Sequence, residues 1–238
     1  MAEYDLDDLS DAYDHRPIST AGIARARLSS QGVRGVVLDV GGGRGEHARA
    51  MEGPRRIPIV IDIAESMAER ARKSGSTAIV APSQNLPFRS GTASLVYFHL
   101  SIHYGPWRRA LDEALRVVGT RGRIDVWTFD RQGLESSSLA QWFPKVVEID
   151  AQRFPEPAAI ASHLEAAGAS VALSTHIESS ARTAAEWESA VRARFVSTLQ
   201  MLSATEIDEG LARFRTAYPT DDDLYEYDIH FVRISSRL

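Results

Sequence analysis

The sequence predicts an α/β fold: an open, doubly wound, mostly parallel seven-stranded sheet with helices on both faces. Three observations predict it. Short apolar runs rich in β-branched residues alternate with amphipathic stretches, the pattern of parallel strands joined by helical crossovers. Several of these runs are apolar at nearly every position, as expected of strands covered on both sides. A chain of 238 residues, 44% hydrophobic and 25% charged, has the size and composition of one soluble α/β domain.

Taken in order, residues 4–31 read as two short N-terminal helices. Leu6, Leu9 and Tyr13 recur at helical spacing, and Ser19 can cap a second stretch over 20–29. The period then changes. Gly35-Val36-Val37-Leu38-Asp39-Val40 reads as the first strand, followed by a glycine-rich turn and the polar stretch 46–52. Residues 57–62 form the second strand, with Pro58 near its start. A helix is expected over 65–73, strands over 77–80 and 94–98, a helix over 107–118 and a strand over 123–128. Residues 131–157 read as loop, with Trp142, Phe143 and Phe154 in it. A helix from Pro157 stops at Gly168, and Val171–His176 is a strand. Trp187, Val191, Phe195, Leu199 and Leu202 make one helical stripe. A last helix over 206–217 and a strand over 225–234 close the chain. The expected organisation is one domain, 1–238, with the N-terminal helices (1–31) and two lid insertions (131–157 and 178–222).

Composition narrows the function. Lys and Arg total 27 against 32 Asp and Glu, for a net charge of −5, so no overall positive field attracts a phosphate backbone. There is no Cys, which excludes disulfides and thiolate metal sites. No apolar run reaches the ~20 residues that span a bilayer, and the acidic start lacks an export core. The expectation is a cytoplasmic protein for small molecules, without nucleic acid or membrane partners, its oligomeric state (monomer or homodimer) open.

The informative stretch is Asp39-Val40-Gly41-Gly42-Gly43-Arg44-Gly45 at the carboxyl end of the first strand. Its glycines permit a tight turn and close approach of a ligand, ahead of helical N–H groups. The second strand ends in Asp62, 17 residues past Gly45, where an acid can accept hydrogen bonds from ribose hydroxyls. Counted from Gly41, the nicotinamide fingerprint Gly-x-Gly-x-x-Gly puts Glu46 on its last glycine, and counted from Gly42 it puts Arg44 on its second.

In these residues the sequence resembles the class I S-adenosylmethionine-dependent methyltransferases, in particular the small-molecule branch that acts on ubiquinone and menaquinone precursors. The resemblance covers roughly 36–126. Asp39–Gly45 matches the family's first motif, and Asp62-Ile63 its acid–hydrophobe pair. Ala81-Pro82-Ser83-Gln84-Asn85-Leu86-Pro87-Phe88 is similar to Gly-Asp-Ala-x-x-Leu-Pro-Phe, with Pro82 in place of the acid that meets adenine in many relatives. Residues 115–123 are similar to the family's turn before the fifth strand. The resemblance implies a Rossmann-like methyltransferase fold and S-adenosyl-L-methionine as cofactor. It implies that Gly41 and Gly43 lie under the methionine part, Asp39 orients the turn and the amino group, and Asp62 binds ribose. Ile63 and Met67 would line adenine, Ser83 and Gln84 would help hold it, and Phe98 and His99 would flank the cofactor.

Tyr97, His99, Ser101, His103, Tyr104 and Trp107 cluster after the fourth strand, on the side where ligands bind in this architecture. Methyl transfer needs a base only when the nucleophile must lose a proton, and His103, then His99, are the candidates. Their spacing with no adjacent carboxylate does not make a metal site. Tyr97-Phe98-His99-Leu100 stands where amine methyltransferases carry Asn/Asp-Pro-Pro-Tyr. Asp130 lacks the partner acids of the metal-dependent catechol-type enzymes. Arg192 and Arg194 are candidates for an anionic substrate group, and Asp221–Asp223 reads as a solvated turn. The expected activity is methyl transfer to a small organic molecule. The alternative is a regulatory, non-catalytic protein that binds the cofactor.

Overall fold

The computed structural model describes residues 20–238. The first expected helix and the Ser19 cap lie outside the described residues. The described chain builds a seven-stranded sheet, with the fifth and seventh strands antiparallel. The strands are β1 (Gly35–Val40), β2 (Arg56–Asp62), β3 (Thr77–Val80), β4 (Ala93–His99), β5 (Arg123–Thr128), β6 (Ser170–Thr183) and β7 (Leu224–Arg237). Their order across the sheet is β3-β2-β1-β4-β5-β7-β6. β1 pairs in parallel with both β2 and β4, so the winding reverses between β1 and β4. Their carboxyl ends stop level, Val40 opposite Ile61 on one side and Phe98 on the other. In doubly wound sheets that reversal is where ligands bind.

Among the described residues the chain divides into two compact units. The sheet unit comprises 20–128, Pro155–Ser174 and Val232–Leu238. It contains helices α1 (Thr20–Ser30), α2 (Glu46–Ala50), α3 (Glu65–Lys73) and α4 (Trp107–Val118). Alternation along the strands sends Leu38, Val40, Val96, Phe98, Ile124 and Val126 into one apolar core. Ala110, Leu111, Ala114, Val117 and Val118 of α4 close that core. The opposite face carries Asp39, Tyr97 and Asp125, side by side in register on β1, β4 and β5.

The insertion unit comprises Phe129–Phe154 and Thr175–Phe231. The stretch 131–157 is not loop. It holds α5 (Arg131–Glu135) and α6 (Pro144–Arg153). The Asp130 carboxylate caps the Gly133 amide at 2.8 Å, and Pro144 opens α6. Both are ordinary start signals, overridden in the sequence reading by the weak periodicity of so short a segment. The third helix placed near this region, α7 (Pro157–Ala166), belongs to the sheet unit and packs Ile160 and Leu164 into its core.

The stripe from Trp187 to Leu202 is not one helix. α8 (Ala184–Arg192) ends early, Arg194 takes a left-handed φ of 52°, and α9 (Ser197–Gln200) restarts the helix. The Arg194 guanidinium donates to the Leu199 and Leu202 carbonyls and stabilises the break. Trp187, Val191, Leu199 and Leu202 nevertheless share one core with Trp142, Phe143, Phe214 and Tyr225. α10 (Ala204–Ala217) begins two residues earlier than expected because Ser203 and Glu206 form a capping box. Arg192 is held by Glu188 and Asp208, and Asp221 pairs with Arg215 at 2.8 Å.

Candidate active site

The glycine turn leaves β1 directly and is tied to both neighbouring strands. The Gly41 amide donates to the Ile61 carbonyl at 2.7 Å, and Ser101 Oγ donates to the Val40 carbonyl at 2.6 Å. Gly41 has φ of 70°, and a Cβ there would fall 2.4 Å from the Ser101 Cβ. Gly43 is different. Its φ is 52°, and among the described residues a Cβ would meet only the Met67 sulfur, at 3.9 Å, so the described side chains do not pack against this position.

Asp62 fixes that position. One carboxylate oxygen accepts from the Gly43 amide at 2.9 Å and the other from the Ala64 amide at 3.0 Å. The acid at the end of β2 thus shapes the turn. Beyond it Ile63 is 51% exposed, whereas Met67, one turn into α3, is 5% exposed beneath Gly43.

Asp39 lies under the turn with 1% of its surface exposed. Burial raises its pKa to about 7; a bond from the Ala48 amide opposes the rise and the Asp62 charge adds to it. Its Oδ2 and the Tyr97 hydroxyl have no hydrogen-bond partner among the described residues. Such orphaned buried atoms are rare and costly.

β4 ends at His99, and Leu100 takes a left-handed φ of 49° that turns the chain. Its amide donates to the Trp127 carbonyl at 2.9 Å. A 3₁₀ turn, Ile102–Tyr104, follows, where the half-buried His103 ring packs 4.2 Å from that of Tyr104. Ser83 and Gln84 are half-buried and lie beside Gly105 at the end of this turn. Their loop is clamped onto α4. Glu113 accepts from the Leu86 amide at 2.8 Å, and Arg116 donates to the Phe88 and Leu86 carbonyls. Pairing with Arg116 holds the Glu113 carboxyl below its usual range.

One expected site residue turns away. Phe98 has none of its surface exposed and belongs to the apolar core, because strand alternation puts it opposite Tyr97 and His99. Two residues that the sequence reading missed take part instead. Arg25 of α1, 8% exposed, donates from Nε to His99 Nε2 at 3.1 Å. The His47 ring of α2 stands edge-on to His99, with centroids 4.4 Å apart. No linear spacing links these three, so the sequence held no signal for them. Among the described residues no His, Asp or Glu cluster could hold a metal, and no helix is long and apolar enough to cross a membrane.

Residues 38–125 match the family described as methyltransferase domain. An uncharacterized protein of Methanocaldococcus jannaschii is 29% identical over 99 residues, 41% of this chain and 46% of its own length. The chain therefore spans less than half the length of the curated relative it matches. A putative methyltransferase from an antibiotic biosynthesis pathway of Anabaena variabilis superposes with a TM-score of 0.72 at 19% identity, covering 95% of this chain and 100% of that one. A putative methyltransferase of Bacillus halodurans gives 0.61 at 16% identity, covering 91% and 98%. Geranyl diphosphate C-methyltransferase of Streptomyces coelicolor, in complex with Mg2+, geranyl-S-thiolodiphosphate and S-adenosyl-L-homocysteine, gives 0.52 at 15% identity, covering 90% and 76%. The fold is the Rossmann-like fold of these methyltransferase structures, and the family match lies over residues 38–125 of it.

Proposed function

We propose that this chain is an S-adenosylmethionine-dependent methyltransferase that acts on a small organic molecule. One observation supports the reading above the others: Asp62 holds the Gly43 amide, and among the described residues only the Met67 sulfur lies within 4 Å of where a Cβ at 43 would stand. The left-handed φ of 52° already favours glycine at 43; what supports a ligand is the strand-end carboxylate that braces this turn at the point where the winding reverses. When bound, the cofactor supplies a methyl group already activated on a sulfonium.

In this reading the Asp62 carboxylate accepts ribose hydroxyls. Ile63 supplies exposed apolar surface for adenine, with Met67 packed beneath, and Ser83 and Gln84 supply polar groups at its edge. The loop carrying them is rigid because Glu113 and Arg116 hold its backbone, which offsets the loss of an acid at Pro82. Gly41 and Gly43 admit the methionine part, and Asp39 beneath the turn favours a positive amino group above it. Ser101 joins the ends of β1 and β4, so the turn and the candidate base, His103, move as one frame. What the frame does for the chemistry is alignment and exclusion of water.

The experiment is calorimetric titration with S-adenosylhomocysteine and with NAD, followed by incubation with methyl-labelled cofactor and a fractionated metabolite extract. Binding of the first ligand and a labelled product are expected. Tighter binding of NAD overturns the cofactor reading. Binding without any labelled product favours the regulatory alternative.

A further inference from the structure

We propose that His99 works in the neutral form as a fixed N–H donor, and that Arg25 is the positioning residue that imposes this state. The inference rests on the methyltransferase reading for its purpose, but its geometry stands apart from that reading. A guanidinium has no acceptor atom and does not lose its protons in proteins. A ring nitrogen that receives its N–H must therefore be unprotonated. Arg25 Nε donates to His99 Nε2 at 3.1 Å, so the His99 proton resides on Nδ1. The ring cannot take a second proton at Nε2 without breaking that bond and placing two cations in contact.

The surroundings reinforce this assignment. Arg25 is anchored from two sides: its guanidinium lies 5.7 Å over the Trp127 ring, and its helix is tied down by Trp127 Nε1, which donates to Ser29 Oγ at 2.9 Å. Among the described residues, the groups around the Tyr97–His99 pair include Arg25 from α1, His47 from α2, Asp39 on β1, and Asp125 on β5 with Arg233 of β7. Arg233 already binds Asp125 through two nitrogens, at 2.6 and 3.0 Å, which removes that acid as a partner for an imidazolium. His47 meets His99 edge to face and Tyr97 stacks 6.1 Å away, so the ring plane is held as well as the tautomer. A ring locked in this way presents a donor at the carboxyl end of β4 and cannot serve as proton acceptor. Acid–base work then passes to His103, on the next turn.

The test is histidine-selective 15N NMR of the full chain between about pH 5.5 and 8, with His99 assigned from the spectrum of H99Q. The expected result is a neutral His99 carrying its proton on Nδ1 throughout that range. In R25Q, which keeps an N–H donor but loses the charge, His99 should titrate with a midpoint near the ordinary ~6.5; R25K should restore resistance to protonation. A wild-type His99 with the proton on Nε2, or one that titrates at the ordinary midpoint, overturns the inference, whether or not the variants fold. S-adenosylhomocysteine titration on the same samples separates the two readings. Absence of binding sinks the methyltransferase proposal and leaves the tautomer assignment to stand on its own spectra.

Discussion

The two faces of the central strands are built from alternate residues of the same segments, yet they obey opposite rules. The face toward α4 carries Leu38, Val40, Val96, Phe98, Ile124 and Val126 and is purely apolar. The face toward α1 and α2 buries Asp39, Tyr97, Asp125 and Trp127, and Arg25 beside them. A parallel sheet covered on both sides is ordinarily apolar on both. Stability alone favours the first face, since a buried carboxylate costs free energy unless it is paired. The insertion unit shows what pairing looks like: buried Asp150 accepts from Thr198 Oγ1 at 2.6 Å and Arg153 at 3.1 Å. Asp39 has no comparable cation among the described residues. Two buried groups without a partner among the described residues, Asp39 Oδ2 and the Tyr97 hydroxyl, thus lie side by side on this face, near the level where the winding reverses.

Substitutions that treat the two faces alike should therefore have opposite consequences. Phe98→Ala on the apolar face should lower unfolding free energy by ~3–5 kcal/mol, because the emptied volume sits in a close-packed core. Denaturant titration measures this, and a loss under ~1 kcal/mol would show that the core collapses into the space.

Asp39→Asn on the polar face should instead raise stability at neutral pH, by up to about 4 kcal/mol. The sign follows from the raised folded value of about 7 against 3.8 in the unfolded chain. The folded state binds the proton more tightly, so the favourable contribution is complete below 3.8 and is lost as pH rises through 7. Wild-type stability should fall across that window, and the Asn variant should lose this slope. A slope that persists in the variant assigns it to another group.

Asp62→Ala sharpens the contrast between buried and ligand-facing acids. Losing two charge-assisted bonds should weaken S-adenosylhomocysteine binding on the order of 100-fold, with a further loss because the Gly43 amide is released. Asp62→Asn should cost less. Unchanged affinity by calorimetry would place the ribose elsewhere. The smallest effect is expected at Tyr97→Phe. Its buried hydroxyl has no partner among the described residues, so removal should leave stability the same or raise it by ~1 kcal/mol. A loss above that in thermal unfolding would reveal a hydrogen bond made by the hydroxyl.

Much of this was legible in linear order. The apolar runs and Asp39–Gly45 declare a doubly wound sheet with a glycine-rich turn after its first strand, because strand burial and glycine geometry are local properties. Helices 65–73 and 107–118 and strands 35–40, 77–80 and 123–128 fall where periodicity puts them. Local signals failed where they compete. Asp130 and Pro144 start helices too short for a period to show, and the stripe after Trp187 breaks at Arg194 although its apolar spacing continues.

The sequence by itself determined the sheet, the glycine-rich turn and an acid at the end of the second strand, since each is set by residues close in the chain or by alternation along a strand; that this acid braces the Gly43 amide across 19 positions was decided by the tertiary structure. Only the tertiary structure decided which acids are buried, that Phe98 faces the core, and that Arg25 reaches His99 across 74 positions. Burial and long-range hydrogen bonds depend on which elements pack together, and no spacing in the chain encodes the distance between a helix before the first strand and the end of the fourth.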